Sequence, residues 1–485
     1  MSRIEKILDY YGPMLSGRLA QIYEEKYKTT NDAARKAISR ARSPVQKIKC
    51  FPYENNQVFC YLEKQYNTEQ YCELLYESLK EKSVTISVIL KALENNYGIM
   101  SKKSISVFSV SPIYKTKGHR LFSRNMSDLL KIGIVQEYDE NHWEISDRYL
   151  NYEQYNIHLS NSNDKMSRII VNDFISWAAK LNIIAYNSAK ILPDIAEFAH
   201  FQWVATCPSY MQPLYDLKEK KPGFIVIDVI YGKQATMEDV RFFIEKVKII
   251  RHFNNIPQFL PILLIESASA DVFRTLKEEK IFIGVINNIF DEQYTKILFD
   301  VFNVFKNATA IMMNDSSTID ELLDTIKNNE GRFNNVVGDL FEYMVGSFYQ
   351  RLGVSYFEMN KLIPNSRGSK NEMDILVCKD NKIIVVECKA TKSPLSYEYV
   401  EKWLSEIIPV FGRWISMTYP QRHYEFQIWS VGGFDDNALE LLENHKKMTK
   451  KYSLEFYDKA KMVNYAKESN DKIFLKHINN HFSIY

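Results

Sequence analysis

The chain lacks the cysteine patterns and the long apolar runs that define several large protein classes. Its six cysteines show no CxxC pair and no repeated spacing, which argues against a zinc site and against a disulfide framework. Free cysteines are typical of a reducing compartment, so we expect a cytoplasmic protein. No apolar run is long enough to span a bilayer, and the N-terminal segment lacks the apolar core of a signal peptide, so no membrane partner is expected.

Several motifs of cofactor binding and catalysis are also missing. No GxGxxG follows a strand-like segment, and neither GxxxxGKS nor GxxxxGKT is present, so we expect no nucleotide cofactor. There is no GxSxG of a serine hydrolase, and the nine histidines form no HxH or HNH-like cluster. The formal net charge is only +2, so any nucleic-acid surface must be a local patch.

Residues 2–63 combine three helix-like segments with two strand-like segments. Apolar residues recur at helical spacing in 3–11, 16–27 and 31–42, and strand-like runs follow at 45–51 and 57–63. This order resembles a winged helix, and a similar order recurs at residues 68–150. The third helix is basic, and a basic helix after a short turn is the geometry that enters a major groove. The candidate DNA-binding residues are Arg35, Lys36, Arg40, Arg42 and Lys47. The alternative is a solvated basic helix in a winged helix that binds protein.

A hairpin near the C-terminus carries three charged side chains within an apolar pattern. Residues 373–378 and 382–388 have the length and composition of strands, and the polar residues 379–381 predict a turn. Asp374 lies in the first strand, whereas Glu387 and Lys389 lie two residues apart and project from one face of the second. Buried charges need partners, so the cluster indicates either a metal ion or mutual pairing. Carboxylate oxygens favour Mg²⁺ or Mn²⁺. Without a metal, the same pattern describes a surface hairpin with an i, i+2 salt bridge.

Asp374 followed by Glu387-Cys388-Lys389 resembles the catalytic core of the PD-(D/E)XK, or restriction-endonuclease-like, nuclease superfamily. The flanking segments are similar to its other elements: a helix at 338–357, a helix at 395–414, a strand and turn at 423–434, a helix at 435–447 and a strand at 452–457. This αβββαβ order resembles the Holliday-junction-resolvase and Mrr-like branches. The resemblance covers residues 328–468, with Met373 where many members have proline.

The resemblance implies hydrolysis of phosphodiester bonds with Mg²⁺, for which Mn²⁺ would substitute. Asp374 and Glu387 would hold the metal, and the Cys388 carbonyl would be a further ligand. Lys389 would position the attacking water. Glu342 lies where many members carry an extra acidic residue, and it would bind a metal or orient Lys389.

A second segment resembles the motif strand and the following helix of another such core. It spans residues 223–253, with Asp228 at the position of the motif glutamate and the apolar Ile230 at the position of the lysine. No acidic residue is evident on the strand-like segment 201–207, so we expect a degenerate copy with a structural role in dimerisation, DNA clamping or ligand sensing. The alternative is a plain Rossmann-like domain.

The sequence therefore predicts a multidomain protein of the α+β and α/β classes. Its expected units are two winged-helix-like units at 1–66 and 67–152, a central α/β unit at 165–306 and a nuclease-like unit at 328–485. A polar linker is predicted at 152–165 and a hinge at 307–332.

This layout is similar to type IIS restriction enzymes, and it predicts a metal-dependent endonuclease of the restriction or anti-phage defence type. The expected partners are double-stranded DNA and a second copy of the chain. Two alternatives stay open: a structure-specific junction-resolving or repair nuclease, and a catalytically silent DNA-binding regulator.

Overall fold

The computed structural model describes residues 1–149, 157–290, 295–301, 334–364 and 370–482. The chain is a mixed α+β protein that divides into two compact units, Met1–Thr295 and Lys296–Tyr485. In the part that is described, no helix has the length and apolar character needed to cross a membrane. The predicted hinge at 307–332 lies outside the described residues.

The N-terminal unit begins with three helices and a small sheet, which we call the first module (residues 3–62). The helices span Arg3–Tyr11, Ser16–Tyr27 and Asn31–Arg40, and the strands Met14–Leu15, Phe59–Leu62 and Val45–Ile48 are adjacent in that order. Thr30 begins the third helix because its side-chain hydroxyl accepts the Ala33 N–H. Buried residues such as Leu8, Leu19 and Ile38 form the core. The elements lie close to their predicted positions.

A second module (residues 69–145) repeats the combination of helices with a three-stranded sheet. Its helices span Glu69–Lys82, Val84–Asn95 and Phe122–Ile132, with a short 3₁₀ helix at Ser104–Phe108. The strands are adjacent in the order Ile99–Ser101, His142–Ile145 and Val135–Glu137.

A central module (residues 157–285) follows, and its first helix begins within the predicted linker. Helix Ile157–Lys180 includes residues 157–165 of the predicted linker at 152–165. The polar residues that indicated a linker are used inside the protein: Ser160 accepts from the Asn96 amide, Asn163 donates to it, and Asp164 accepts from the Ser104 hydroxyl. These bonds join the helix to the second module, so from residue 157 onward the predicted polar linker is part of a packed helix.

The central module contains a five-stranded sheet with helices between the strands. The strands are adjacent in chain order: Lys190–Ile191, Ala205–Ser209, Gly223–Ala235, Phe259–Ala268 and Phe282–Val285. The first two pairings are antiparallel and the last two are parallel. Helices Met237–Arg251 and Ala270–Glu278 make the parallel crossovers. A Rossmann-like sheet is mostly parallel and reverses its strand order at the centre, whereas these strands stay adjacent in chain order with two antiparallel pairings, so that alternative does not describe this module.

The C-terminal unit has a second five-stranded sheet. Its strands are also adjacent in chain order: Tyr356–Pro364, Lys370–Lys379, Lys382–Lys389, His423–Ser430 and Ser453–Tyr457. Again two antiparallel pairings are followed by two parallel ones. The helices span Asn334–Arg351, Tyr397–Lys402, Ile408–Thr418, Asp436–Met448, Lys459–Glu468 and Lys472–His481, with a π-helical turn at Trp403–Ile407. The two five-stranded sheets therefore share strand order and strand direction.

Candidate active site

The predicted hairpin forms the second and third strands of the C-terminal sheet. Asp380 and Asn381 make the turn with φ values of 49° and 64°, the left-handed pair that a two-residue hairpin requires. The register pairs Ile375 with Val386, so the next positions along the two strands, Asp374 and Glu387, lie side by side. The β-branched residues between these points are buried and fix the register.

The side chains of the predicted catalytic residues meet at the end of this hairpin. The Lys389 Nζ lies 2.8 Å from Glu387 Oε1 and 3.6 Å from Asp374 Oδ2, and it donates to the Cys388 carbonyl oxygen at 2.9 Å. The backbone N–H of Cys388 donates to Asp374 Oδ2 at 2.7 Å. Three oxygen-bearing groups thus converge on one ammonium group.

Burial shifts the pKa values of the charged groups in this cluster. Burial and the neighbouring Glu387 carboxylate raise the pKa of Asp374 to about 7, against the opposing Lys389 ammonium. Burial alone would lower the pKa of Lys389, but the Asp374 and Glu387 carboxylates outweigh it and the pKa is raised. The site therefore favours positive charge at the point where the oxygens meet.

The donor set fits a hard divalent cation. Two carboxylates and the Cys388 carbonyl are oxygen ligands of the kind that Mg²⁺ prefers, and the Lys389 ammonium already lies within reach of all three. Across the described ranges, no group of three or more His, Cys, Asp and Glu side chains is placed to hold a metal ion. An octahedral shell would thus need waters or substrate oxygens besides these three groups.

Glu342 lies on helix Asn334–Arg351, which packs against the motif strand. Burial raises the pKa of the Cys388 thiol, and the carboxylates of Asp374 and Glu342 raise it further. The fold therefore brings Glu342 into electrostatic range of the motif, beside Cys388. Its proposed part in metal binding stays a prediction.

Tyr399 was not found by sequence reasoning. It lies in the first turn of helix Tyr397–Lys402, just after the cap at Ser396, and its hydroxyl donates to Glu387 Oε1 at 2.9 Å. Glu387 Oε1 thus receives hydrogen bonds from both Tyr399 and Lys389. A tyrosine ten residues after the motif follows no spacing rule, so only the fold reveals this contact.

The candidate DNA-binding residues of the first module differ in how free their charges are. Arg35, Lys36, Arg40 and Arg42 are exposed. The Lys47 ammonium instead donates to the Ser39 and Ala41 carbonyls at 2.9 and 3.0 Å, so it caps the end of the third helix. DNA binding by these residues stays a prediction, with Lys47 already engaged within the module.

The central module carries a sealed ion pair at the position of the second motif. Asp228 and Lys246 have side chains that are 1% and 0% exposed, and Asp228 Oδ2 lies 3.0 Å from the Lys246 Nζ. Asp228 Oδ1 accepts the Val204 N–H at 2.8 Å. Burial raises the pKa of Asp228 to about 6 against the effect of Lys246, and burial lowers the pKa of Lys246.

The register shows how the two sheets differ at equivalent positions. Ala205 pairs with Ile227, so the next position along, Val204, faces Asp228 as Asp374 faces Glu387 in the other sheet. Lys246 comes from the helix after the strand, and its ammonium also donates to the Val107 and Gln202 carbonyls. Sequence reasoning missed Lys246 because it is one of two lysines on an amphipathic helix, and the pattern does not tell them apart.

Comparisons with known proteins found little similarity. A scan against protein-family models found no match, and a search of curated proteins found none. Among solved structures, the small subunit of the heterodimeric restriction endonuclease R.BspD6I aligns with 34% of this chain and 89% of its own, at 12% identity and a TM-score of 0.21. The similarity is too low to carry an argument about this chain.

Proposed function

We propose that the chain is a metal-dependent DNA endonuclease of the restriction or defence type, with its centre at Asp374, Glu387 and Lys389. The observation that carries the proposal is the convergence of two carboxylates, the Cys388 carbonyl and one lysine at the end of a buried hairpin. A merely structural salt bridge would not require a second carboxylate whose pKa is raised to about 7.

Each residue of the centre has a distinct role in the proposed reaction. Asp374, Glu387 and the Cys388 carbonyl would hold Mg²⁺ or Mn²⁺, which supplies Lewis acidity at the scissile phosphate. The Lys389 ammonium would orient the attacking water in line with the leaving oxygen and neutralise charge on the phosphoryl oxygens. Tyr399 would hold Glu387 Oε1 in place by its hydrogen bond at 2.9 Å.

The sealed pair in the central module supports one working centre per chain. Asp228 and Lys246 are inaccessible, and the position facing Asp228 is the apolar Val204. A single centre cuts one strand of a duplex in one binding event, so cutting both strands would take a second copy of the chain or a second event. The first two modules, with their winged-helix element order, would read the DNA.

The test is cleavage by the purified chain with Mg²⁺ and with EDTA. The substrates are plasmid DNA, linear duplexes and a four-way junction of matched sequence. We expect cutting of plasmid and linear duplex only with the metal present. Preferential cutting of the junction would instead favour the junction-resolving alternative.

Two lysine variants of one hairpin separate chemistry from charge. Lys389→Ala should abolish cutting, whereas Lys379→Ala, at the other end of the same strand pair, should retain it. Equal rates for the wild type and Lys389→Ala would refute the centre. DNA binding without any cutting under all these conditions would favour the silent regulator.

A further inference from the structure

The first module and the helix after it enclose a cleft of about 930 Å³. Its walls include the beginning of helix Ser16–Tyr27, one flank of helix Asn31–Arg40, the turn Glu54–Asn56 and helix Glu69–Lys82. Residues of the small sheet and its flanks, among them Lys47 and Lys49, complete the lining. Side-chain contacts hold these walls in place. Gln57 accepts the Gly17 N–H at 3.1 Å, and the Tyr53 hydroxyl bonds to Ser78 Oγ at 2.8 Å. The cleft therefore exists before any ligand binds.

The cleft is predominantly basic. Arg18, Arg35, Lys49 and Lys82 line it with exposed side chains, against two carboxylates, Glu77 and Glu81. Within the described part of the chain, none of these six groups belongs to an ion pair, so their charges face the cleft or solvent. A cleft with twice as many free cations as anions favours an anionic occupant.

Amide groups at the turn add a second kind of contact. Asn55 and Asn56 line the cleft, are exposed, and have φ values of 56° and 51°. A left-handed backbone at two successive non-glycine residues is uncommon and holds both side chains at the tip of the turn. Asparagine amides donate and accept at once, as the edges of bases require.

The third helix divides its cations between two surfaces. Asn31, Arg35 and Ser39 are four residues apart and line the cleft, whereas Lys36 and Arg40, also four apart, are not among its lining residues. All three cations are exposed and lie on one helix. They therefore provide matched variants that differ in the surface on which the charge lies.

We propose that this cleft binds a short segment of one DNA strand, with Arg18, Arg35 and Lys49 on its phosphates and the Asn55 and Asn56 amides on base edges. A volume of this size is that of a site for a small ligand, so it accommodates a few nucleotides and not a whole duplex. The inference rests on the proposed function, because it names where that enzyme would hold its substrate. It also assigns Lys36 and Arg40 a lesser part than Arg35.

The experiment is binding of the full chain to a fluorescent DNA oligonucleotide, single-stranded and as a duplex, at several salt concentrations with EDTA. Arg35→Ala/Lys49→Ala should weaken DNA binding at least tenfold. It should also make the slope of log K against log salt concentration shallower by about two, because two phosphate contacts are lost. Lys36→Ala/Arg40→Ala removes the same amount of charge and should weaken DNA binding by less than about threefold. Because the cleft would hold one strand, the loss in Arg35→Ala/Lys49→Ala should appear with the single-stranded oligonucleotide, and a loss confined to the duplex would refute the assignment to one strand.

A third double variant shows whether a loss of binding comes from misfolding. Glu77→Gln/Glu81→Gln removes both carboxylates from the cleft and should strengthen binding, which misfolding cannot do. The inference is refuted if Arg35→Ala/Lys49→Ala binds DNA as the wild type does, or if Lys36→Ala/Arg40→Ala loses as much affinity. It is also refuted if Glu77→Gln/Glu81→Gln gains no affinity. Because EDTA prevents cutting, these results are independent of catalysis. Normal binding and no cutting with Mg²⁺ would refute the proposed function alone.

Discussion

Replacing the buried Lys246 with methionine should destabilise the N-terminal unit more than replacing an exposed lysine with methionine. Lys246 donates to Asp228, Val107 and Gln202, so its loss leaves a buried carboxylate without its cation and removes this donor from two carbonyls. Breaking a buried ion pair by removing one partner costs about 3–5 kcal/mol. For a unit of this size that corresponds to a fall of roughly 5–8 °C in melting temperature.

The assay is calorimetric melting of the full chain beside two controls. Lys248→Met, on the same helix but 42% exposed, removes only exposed ion pairs with Glu245 and Glu279 and should cost less than about 1 kcal/mol. The double variant Asp228→Asn/Lys246→Met should melt above Lys246→Met, because it removes the unpaired charge while the substituted amide oxygen still accepts the Val204 N–H. A double variant no more stable than Lys246→Met would refute the charge argument and assign the loss to packing.

The loss should also depend on pH. Burial raises the pKa of Asp228 to about 6 even with Lys246 present, and without that cation the pKa rises further. For an acid whose pKa is raised in the folded state, the protonated form adds stability at low pH, which is lost as pH rises through the folded pKa. The difference between wild type and Lys246→Met should therefore be smaller at pH 5 than at pH 8.

Three further predictions concern the candidate active site and the buried Asp228–Lys246 pair. Asp374→Ala and Glu387→Ala, like Lys389→Ala, should abolish cutting in a plasmid assay and leave DNA affinity within about threefold in a binding assay, because affinity comes mainly from phosphate contacts elsewhere. Tyr399→Phe removes one hydrogen bond to a carboxylate and should slow single-turnover cutting about tenfold with unchanged DNA affinity; an unchanged rate would show that Glu387 needs no such support. Asp228→Asn should leave the cutting rate per folded molecule unchanged while lowering the melting temperature, and a lost rate in a folded variant would mean two active centres.

The motif hairpin was predictable because its signals are local. Strand length, β-branched residues and the Asp380-Asn381 turn define two strands, and the register then places Asp374 beside Glu387. The position of Asp228 on a central strand was predictable for the same reason. Strand periodicity thus placed Asp374, Glu387 and Asp228 on the correct strands.

The partners of those residues were not predictable, because they come from helices packed on the sheet. Tyr399 and Lys246 reach their carboxylates through tertiary packing, and nothing in helical spacing distinguishes Lys246 from Lys248 on the same helix. Lys47 likewise has contacts that the sequence does not show, while its part in DNA binding stays a prediction. A basic residue beside a predicted recognition helix is counted as free, whereas its ammonium caps that helix.

The buried pair also determines how the N-terminal unit can be divided. Lys246 of the central module holds the Val107 carbonyl of the second module, and Asn95 and Asn96 of the second module bond to Asp239 and Ser160 across the same boundary. A protease that cuts near residue 150 would therefore leave two fragments that stay associated and melt together. Expressed alone, the central module would expose an ammonium group that has lost one of its acceptors, and we expect it to aggregate.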